Sequence, residues 1–252
     1  MTKIDINADL GEGFGVWRLG DDTALLDVIT SANIACGFHA GDPLIMRRTC
    51  AAAVERGVAI GAQVSYRDLP GFGRRPMDMP ADTLAADVLY QLAALDGVAR
   101  AEGGAVRYVK PHGALYNRIV GDEEQAAAVV EAVRAYDPSL PVLTLARSVV
   151  HDAATRERVR TIRECFADRA YTSEGTLVSR RQAGAVIHDE TEVTARVVRM
   201  ATEGVVRSVD GDDVRVDARS VCVHGDTPGA VELAKAVRRG LMEAGVRTES
   251  FA

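Results

Sequence analysis

The chain is 252 residues long, with 47% hydrophobic residues, 26% charged residues and a formal net charge of −6. Those proportions exclude wholesale disorder, collagen-like repeats and coiled coils. The negative balance argues against nucleic acid or an anionic membrane as partner, and no apolar run approaches the ~20 residues of a membrane helix.

In chain order, KIDINAD (3–9) alternates apolar and polar residues at period two. SANIAC (31–36), VAIGA (58–62), VRYVK (106–110), PVLTL (141–145), RVRTIREC (158–165) and SVCVH (220–224) follow as strands. Helical patterns fall between them. Asp42-Pro43 opens a helix over 43–56 that stops at Gly57. Residues 81–102 place Leu84, Val88, Leu92, Leu95 and Val98 on one stripe. Further helices are expected over 122–135, 147–157, 190–203 and 228–243. Parallel neighbours need helical crossovers, so the alternation predicts a single α/β domain over 1–252, a (β/α) barrel of about seven parallel strands. Residues 64–80 and 166–189 are the long irregular stretches, and long loops in compact barrels tend to be functional.

Cys36, Cys50, Cys165 and Cys222 are widely spaced without a CxxC, and the N-terminus shows no secretory pattern. Both features predict a cytoplasmic protein with reduced thiols. Only three of the 30 basic residues are lysines, Lys3, Lys110 and Lys235.

Ligands in parallel α/β folds bind where strands end and loops begin. Those ends carry Asp9 and Glu12; Asn33, Cys36, His39 and Asp42; Lys110 and His112; Glu164, Asp168 and Arg169; and His224 and Asp226. Three of the five histidines thus fall at one end of three strands, where groups titrating near neutrality serve acid–base chemistry. His151 and His188 look incidental. Several of these residues have a structural alternative. Asp42 and Asp226 each precede a helix and suit a cap. Glu164 can pair with Arg169. Cys36 and Cys222 read first as packed thiols rather than nucleophiles. The loop Gly71-Phe-Gly-Arg74-Arg75 offers two guanidinium groups for a carboxylate or phosphate. Asp9 with His39 and His112 is a candidate divalent-metal set drawn from different strands. No phosphate loop of the GxxxxGK[ST] type, no strand–GxGxxG–helix fingerprint and no GxSxG elbow is present.

The segments Asn7–Glu12, Ser31–Pro43, Gly71–Arg75, Val109–Asn117, Glu164–Tyr171 and Val221–Asp226, in this order over nearly the whole chain, resemble the LamB/YcsF family of 5-oxoprolinase A subunits. SANIACGFHAGDP and VKPHGALYN carry the resemblance most specifically. It implies a barrel related to the glycoside hydrolase/deacetylase group. It also implies ATP-dependent opening of the lactam 5-oxoproline to L-glutamate, with ATP as co-substrate and subunits B and C as partners. For that reaction Asp9 or Glu12 is the expected base, with His39, His112 and His224 positioning water or moving protons. Lys110 would stabilise negative charge, and Arg74 would hold the substrate carboxylate. Asn33, Asp42, Asn117, Glu164, Arg169 and Asp226 complete the expected substrate contacts. One departure is visible: the family often has a histidine after the third strand where this chain has Gln63. Gln63 cannot carry a proton in catalysis, and no catalytic role is assigned to it. Two rival readings are a metal-dependent carbohydrate deacetylase or hydrolase and a non-catalytic lactam-binding subunit.

Overall fold

A computed structural model describes residues 2–225 and 229–252. Its strands in chain order are β1 (Lys3–Leu10), β2 (Ser31–Ala35), β3 (Ala59–Val64), β4 (Val106–Pro111), β5 (Val142–Leu145), β6 (Thr161–Phe166), β7 (Val205–Arg207), β8 (Asp213–Arg215), β9 (Ser220–Val223) and β10 (Arg247–Thr248). Strands β1, β2, β3, β4, β5, β6 and β9 pair in that order, all in parallel, and β9 returns to β1. The result is a closed seven-stranded parallel barrel, as the alternation predicted. Closure removes the exposed edges that an open sheet would leave. β10 lies outside the ring, parallel to the start of β1.

The helices are α1 (Asp22–Leu26), α2 (Pro43–Glu55), α3 (Ala81–Ala101), α4 (Gly113–Arg118), α5 (Glu123–Tyr136), α6 (Val150–Arg156), α7 (Glu190–Glu203) and α8 (Ala230–Glu243). Local chemistry explains their limits. Asp42 caps α2 by accepting from Leu44 N and Ile45 N at 2.8 and 3.0 Å, with Pro43 in the first turn. In α3 the stripe Leu84, Val88, Leu92 and Leu95 is wholly buried, and Val98 is partly so. Burial of one such side chain contributes ~1.5–3 kcal/mol, enough to hold the helix on the barrel.

Four elements were not foreseen: the short helices α1 and α4, the terminal strand β10, and the β7–β8 hairpin. The hairpin did have a signal, because Asp210-Gly211 joins two alternating runs and Gly211 takes φ 91°. Strand β6 begins at Thr161 rather than 158, because Arg158 adopts a left-handed φ of 58° and ends the preceding turn.

The strands have an unusual division of faces. Alternate residues of β1, Ile4, Ile6, Ala8 and Leu10, join the apolar core between barrel and helices. The intervening Asp5, Asn7 and Asp9 point into the barrel, where they meet side chains from β2, β4, β6 and β9. One end of this interior is closed by Tyr108, Leu143 and Ile162 with Phe251. Gly61 is required there, since a Cβ would lie 2.2 Å from the Tyr108 ring. The other end, at the C-terminal ends of the strands, opens into a cavity.

Candidate active site

The cavity has a volume of about 740 Å³. Asp9, Lys110, His112, Phe166 and His224 line its base, and Arg74, Arg118, Arg169, Arg180 and Arg181 line its sides. Asp9, Lys110, His112 and His224, expected from their strand-end positions to meet, do share one barrel mouth.

Beneath this surface lies a sealed polar layer. Lys110 Nζ is 2.8 Å from Glu164 Oε1, 2.9 Å from Asn7 Oδ1, 3.1 Å from Cys222 Sγ and 3.3 Å from Asp9 Oδ1. Burial would lower the ammonium most, but Asp9, Cys222 and Glu164 together outweigh it and hold Lys110 well above its ordinary value. Burial would likewise raise Asp9, yet Lys110 holds its carboxyl well below the usual range. The pair is thus a fixed buried charge pair at neutral pH. Burial pushes the Cys222 thiol well up despite Lys110, which fits a packed thiol rather than a nucleophile. All four cysteines are free and buried.

Several expected substrate contacts lie elsewhere. Asn33 is fully buried; it donates to Asn7 Oδ1 and Asp9 Oδ1 at 2.7 and 2.8 Å and accepts from Tyr108. Glu164 is also fully buried, and its partners are Lys110 and Asn7 rather than Arg169. Both residues support Asp9 and Lys110 from below and are sealed from the cavity. Asp42 acts as the cap of α2 and also accepts from Gly15 N at 2.8 Å, away from the cavity lining. Arg74, Asn117 and Arg169 do line the cavity. Arg169 is nonetheless committed in part, donating to the Val178 and Ala185 carbonyls at 2.6 and 3.3 Å, and burial lowers its guanidinium to about 10. Asp226 lies outside the described residues. His151 is structural: its ring nitrogens meet Thr161 Oγ1 and Leu145 O at 2.8 and 2.9 Å.

Asp168, noted at a strand end without a role, is the partner of His224. The His224 Nδ1 lies 2.7 and 2.9 Å from the two oxygens of Asp168. An ionised carboxylate only accepts, so Nδ1 carries a hydrogen, and in the neutral ring Nε2 keeps its lone pair. Phe166 stacks on the imidazole at 5.6 Å. The position of Asp168, two residues after Phe166 at a strand end, was the only available signal.

Glu12 and His39 stand behind the lining. Glu12, His39 and His112 bring three ligand atoms within 4.8 Å of one another, so Glu12 takes the place expected of Asp9 in a candidate metal set. Gln63 lies among them, with Nε2 3.0 Å from Glu12 Oε1 and 2.9 Å from His112 Nδ1. The His39 and His112 rings stack at 4.1 Å with 16° between their planes. Burial lowers His39 to about 4, so its imidazole is neutral.

The 64–80 loop is pinned against this group. Phe72 adopts a left-handed φ of 54°, and its carbonyl accepts from His112 Nε2 at 3.1 Å. Gly73, at φ 65°, has no room for a side chain, because a Cβ would meet Ser65 Oγ at 2.4 Å and His39 Cβ at 2.8 Å. That close approach carries Arg74 to the cavity wall, where its guanidinium lies 4.8 Å from the Phe72 ring centroid.

Comparison with known proteins agrees with this architecture. Residues 4–252 match the LamB/YcsF family. A protein of Mycolicibacterium gilvum, named as the A subunit of 5-oxoprolinase, is 58% identical over the full length of both chains. The crystal structure of a lactam utilization protein from Thermus thermophilus superposes with a TM-score of 0.94 at 42% identity, covering 99% of this chain and 100% of that one. A family 4 carbohydrate esterase from Streptomyces lividans shares only the fold, at TM-score 0.51 and 11% identity, over 100% of this chain and 93% of that one. From its first strand to its last residue, this chain belongs to the LamB/YcsF family.

Proposed function

We propose that the chain is the A subunit of an ATP-dependent 5-oxoprolinase, and that it supplies the water and proton-transfer groups for opening 5-oxoproline to L-glutamate alongside subunits B and C. The observation that carries this reading is the cavity itself. An acid–base floor of Asp9, Lys110 and His224 faces a wall of five arginines, which suits a substrate bearing a carboxylate and, when activated, a phosphate.

A lactam is a resonance-stabilised amide, and closure of the five-membered ring is favourable, so opening requires coupling to ATP. Phosphorylation of the lactam oxygen gives an activated imidate. Water adds to the ring carbon and gives its proton to a base. The ring nitrogen takes up one proton on addition and a second as the carbon–nitrogen bond breaks, while the new hydroxyl gives up its proton and becomes the carbonyl. The resulting acyl phosphate of glutamate loses phosphate to a second water. ADP, phosphate and glutamate are the products.

His224 is the proton carrier in this scheme. Asp168 fixes its tautomer, and Nε2 has no partner among the described residues. Asp9, held anionic by Lys110, is a weak proton acceptor; its charge orients the water. Arg74 holds the substrate carboxylate.

The test is glutamate formation from 5-oxoproline and ATP, measured with the purified chain alone and with subunits B and C added. Turnover is expected only with all three, and only with His224 intact. Undiminished turnover by His224→Ala in the complete mixture removes His224 from this role, and no glutamate from any combination removes the function.

A further inference from the structure

The cluster of Glu12, His39, His112 and Gln63 sits beside the proposed chemistry yet is built differently from it. A carboxylate oxygen accepts hydrogen bonds, so the Gln63 group facing Glu12 Oε1 at 3.0 Å is the amide nitrogen. The same nitrogen lies 2.9 Å from His112 Nδ1, which must therefore accept as well. His112 then carries its hydrogen on Nε2, and that hydrogen goes to the Phe72 carbonyl at 3.1 Å. Both nitrogens of His112 are occupied, and one neutral tautomer is selected.

From this geometry we propose that Gln63 takes the place a divalent cation would fill, tying Glu12 to His112 through its two N–H donors, so that this barrel mouth is organised without a metal.

Ring geometry supports the same conclusion independently. An imidazole offers its lone pair in the plane of the ring, and zinc binds ~2.0–2.1 Å from the nitrogen. One ion shared by His39 and His112 must lie in both ring planes. The two planes are inclined by 16° with centroids 4.1 Å apart, so they run side by side and do not meet near the nitrogens. His39 Nε2 is without a hydrogen-bond partner among the described residues and stands 3.6 Å from Glu12 Oε1. An ion placed in line with that nitrogen would lie off the His112 plane. His112 is accordingly a positioning residue, holding the Phe72 carbonyl and with it the loop that carries Arg74.

The test needs only the cluster and not the ring-opening assay. The full chain, stripped with chelator, is titrated with cobalt(II) and with zinc(II), and bound metal is measured after desalting. No stoichiometric metal is expected, and neither ion should raise the melting temperature. One equivalent bound, and lost in Glu12→Gln, overturns the proposal. The tautomer is read separately from the side-chain nitrogen shifts of His112 by NMR. Nε2–H with an acceptor Nδ1 is expected, and a mixture is expected in Gln63→Leu. An Nδ1–H form in the unmodified chain, or an unaltered tautomer in a folded Gln63→Leu, overturns it. If Gln63→Leu does not fold, the metal titration and the spectrum of the unmodified chain still decide.

Discussion

Asp5 and Asp9 lie on the same strand and face the same barrel interior, yet their carboxyls are driven in opposite directions. Asp5 sits near the closed end, where its partners are the hydroxyls of Thr30, Ser31 and Ser220. Burial dominates there and raises it to about 6. Asp9 keeps only 12% of its side chain exposed, but Lys110 stands 3.3 Å away and the carboxyl falls well below its ordinary value. Hydroxyl hydrogen bonds do not offset the desolvation of a carboxylate; a neighbouring cation does. One end of the barrel is therefore a structural polar plug and the other a permanently charged floor.

Removing the cation breaks the contrast and has the largest expected effect. Lys110→Met leaves Asp9 and Glu164 buried without a counter-charge. Stability should fall by about 3–5 kcal/mol in urea unfolding, with loss of glutamate formation by the complete enzyme. An unchanged unfolding midpoint would show that the charge pair does not hold the floor together.

Asp168→Asn sharpens the open end by leaving charge on the floor while freeing the His224 tautomer. We expect kcat to drop about a hundredfold or more, with little change in KM and a displaced pH profile. A change confined to KM would assign Asp168 to substrate binding instead.

Asp5→Asn addresses the closed end. The folded-state value of about 6 lies above the ordinary carboxyl value of 3.8, so the folded chain holds the Asp5 proton more tightly. Its contribution to stability is present below the lower value and is lost as pH rises through about 6, amounting to no more than about 3 kcal/mol. Relative to the unmodified chain, Asp5→Asn should gain stability between about pH 4 and about pH 7 on a scale of about that size. A difference independent of pH would mean that the hydroxyl shell compensates for burial.

Arg74→Ala should have the smallest effect of the four, about a tenfold rise in KM for 5-oxoproline that weakens with added salt. If KM stays constant, the substrate carboxylate is held by another arginine of the wall.

Much of the barrel was legible because period-two runs and capped amphipathic stretches are local signals. Asp42-Pro43 opened α2 as read, and the α3 stripe buried as read. The His and Asp residues at strand ends were legible for the same reason, since a parallel barrel brings the C-terminal ends of its strands together. The roles of individual polar residues were not. Asn33 and Glu164 fall at strand positions indistinguishable in sequence from those of Asp9 and Lys110, but barrel depth places the first two under the floor and the second two on it.

By itself the chain's order of residues determined the strand and helix alternation, the family resemblance and the end of the barrel where chemistry collects. Only the tertiary structure decided that Asp168 orients His224, that Gln63 bridges Glu12 and His112, and that Lys110 serves Glu164 as well as Asp9. Each of these pairings joins residues far apart in the chain. Angles and separations of a few ångströms set them, and neither is written in the spacing of residues along a strand.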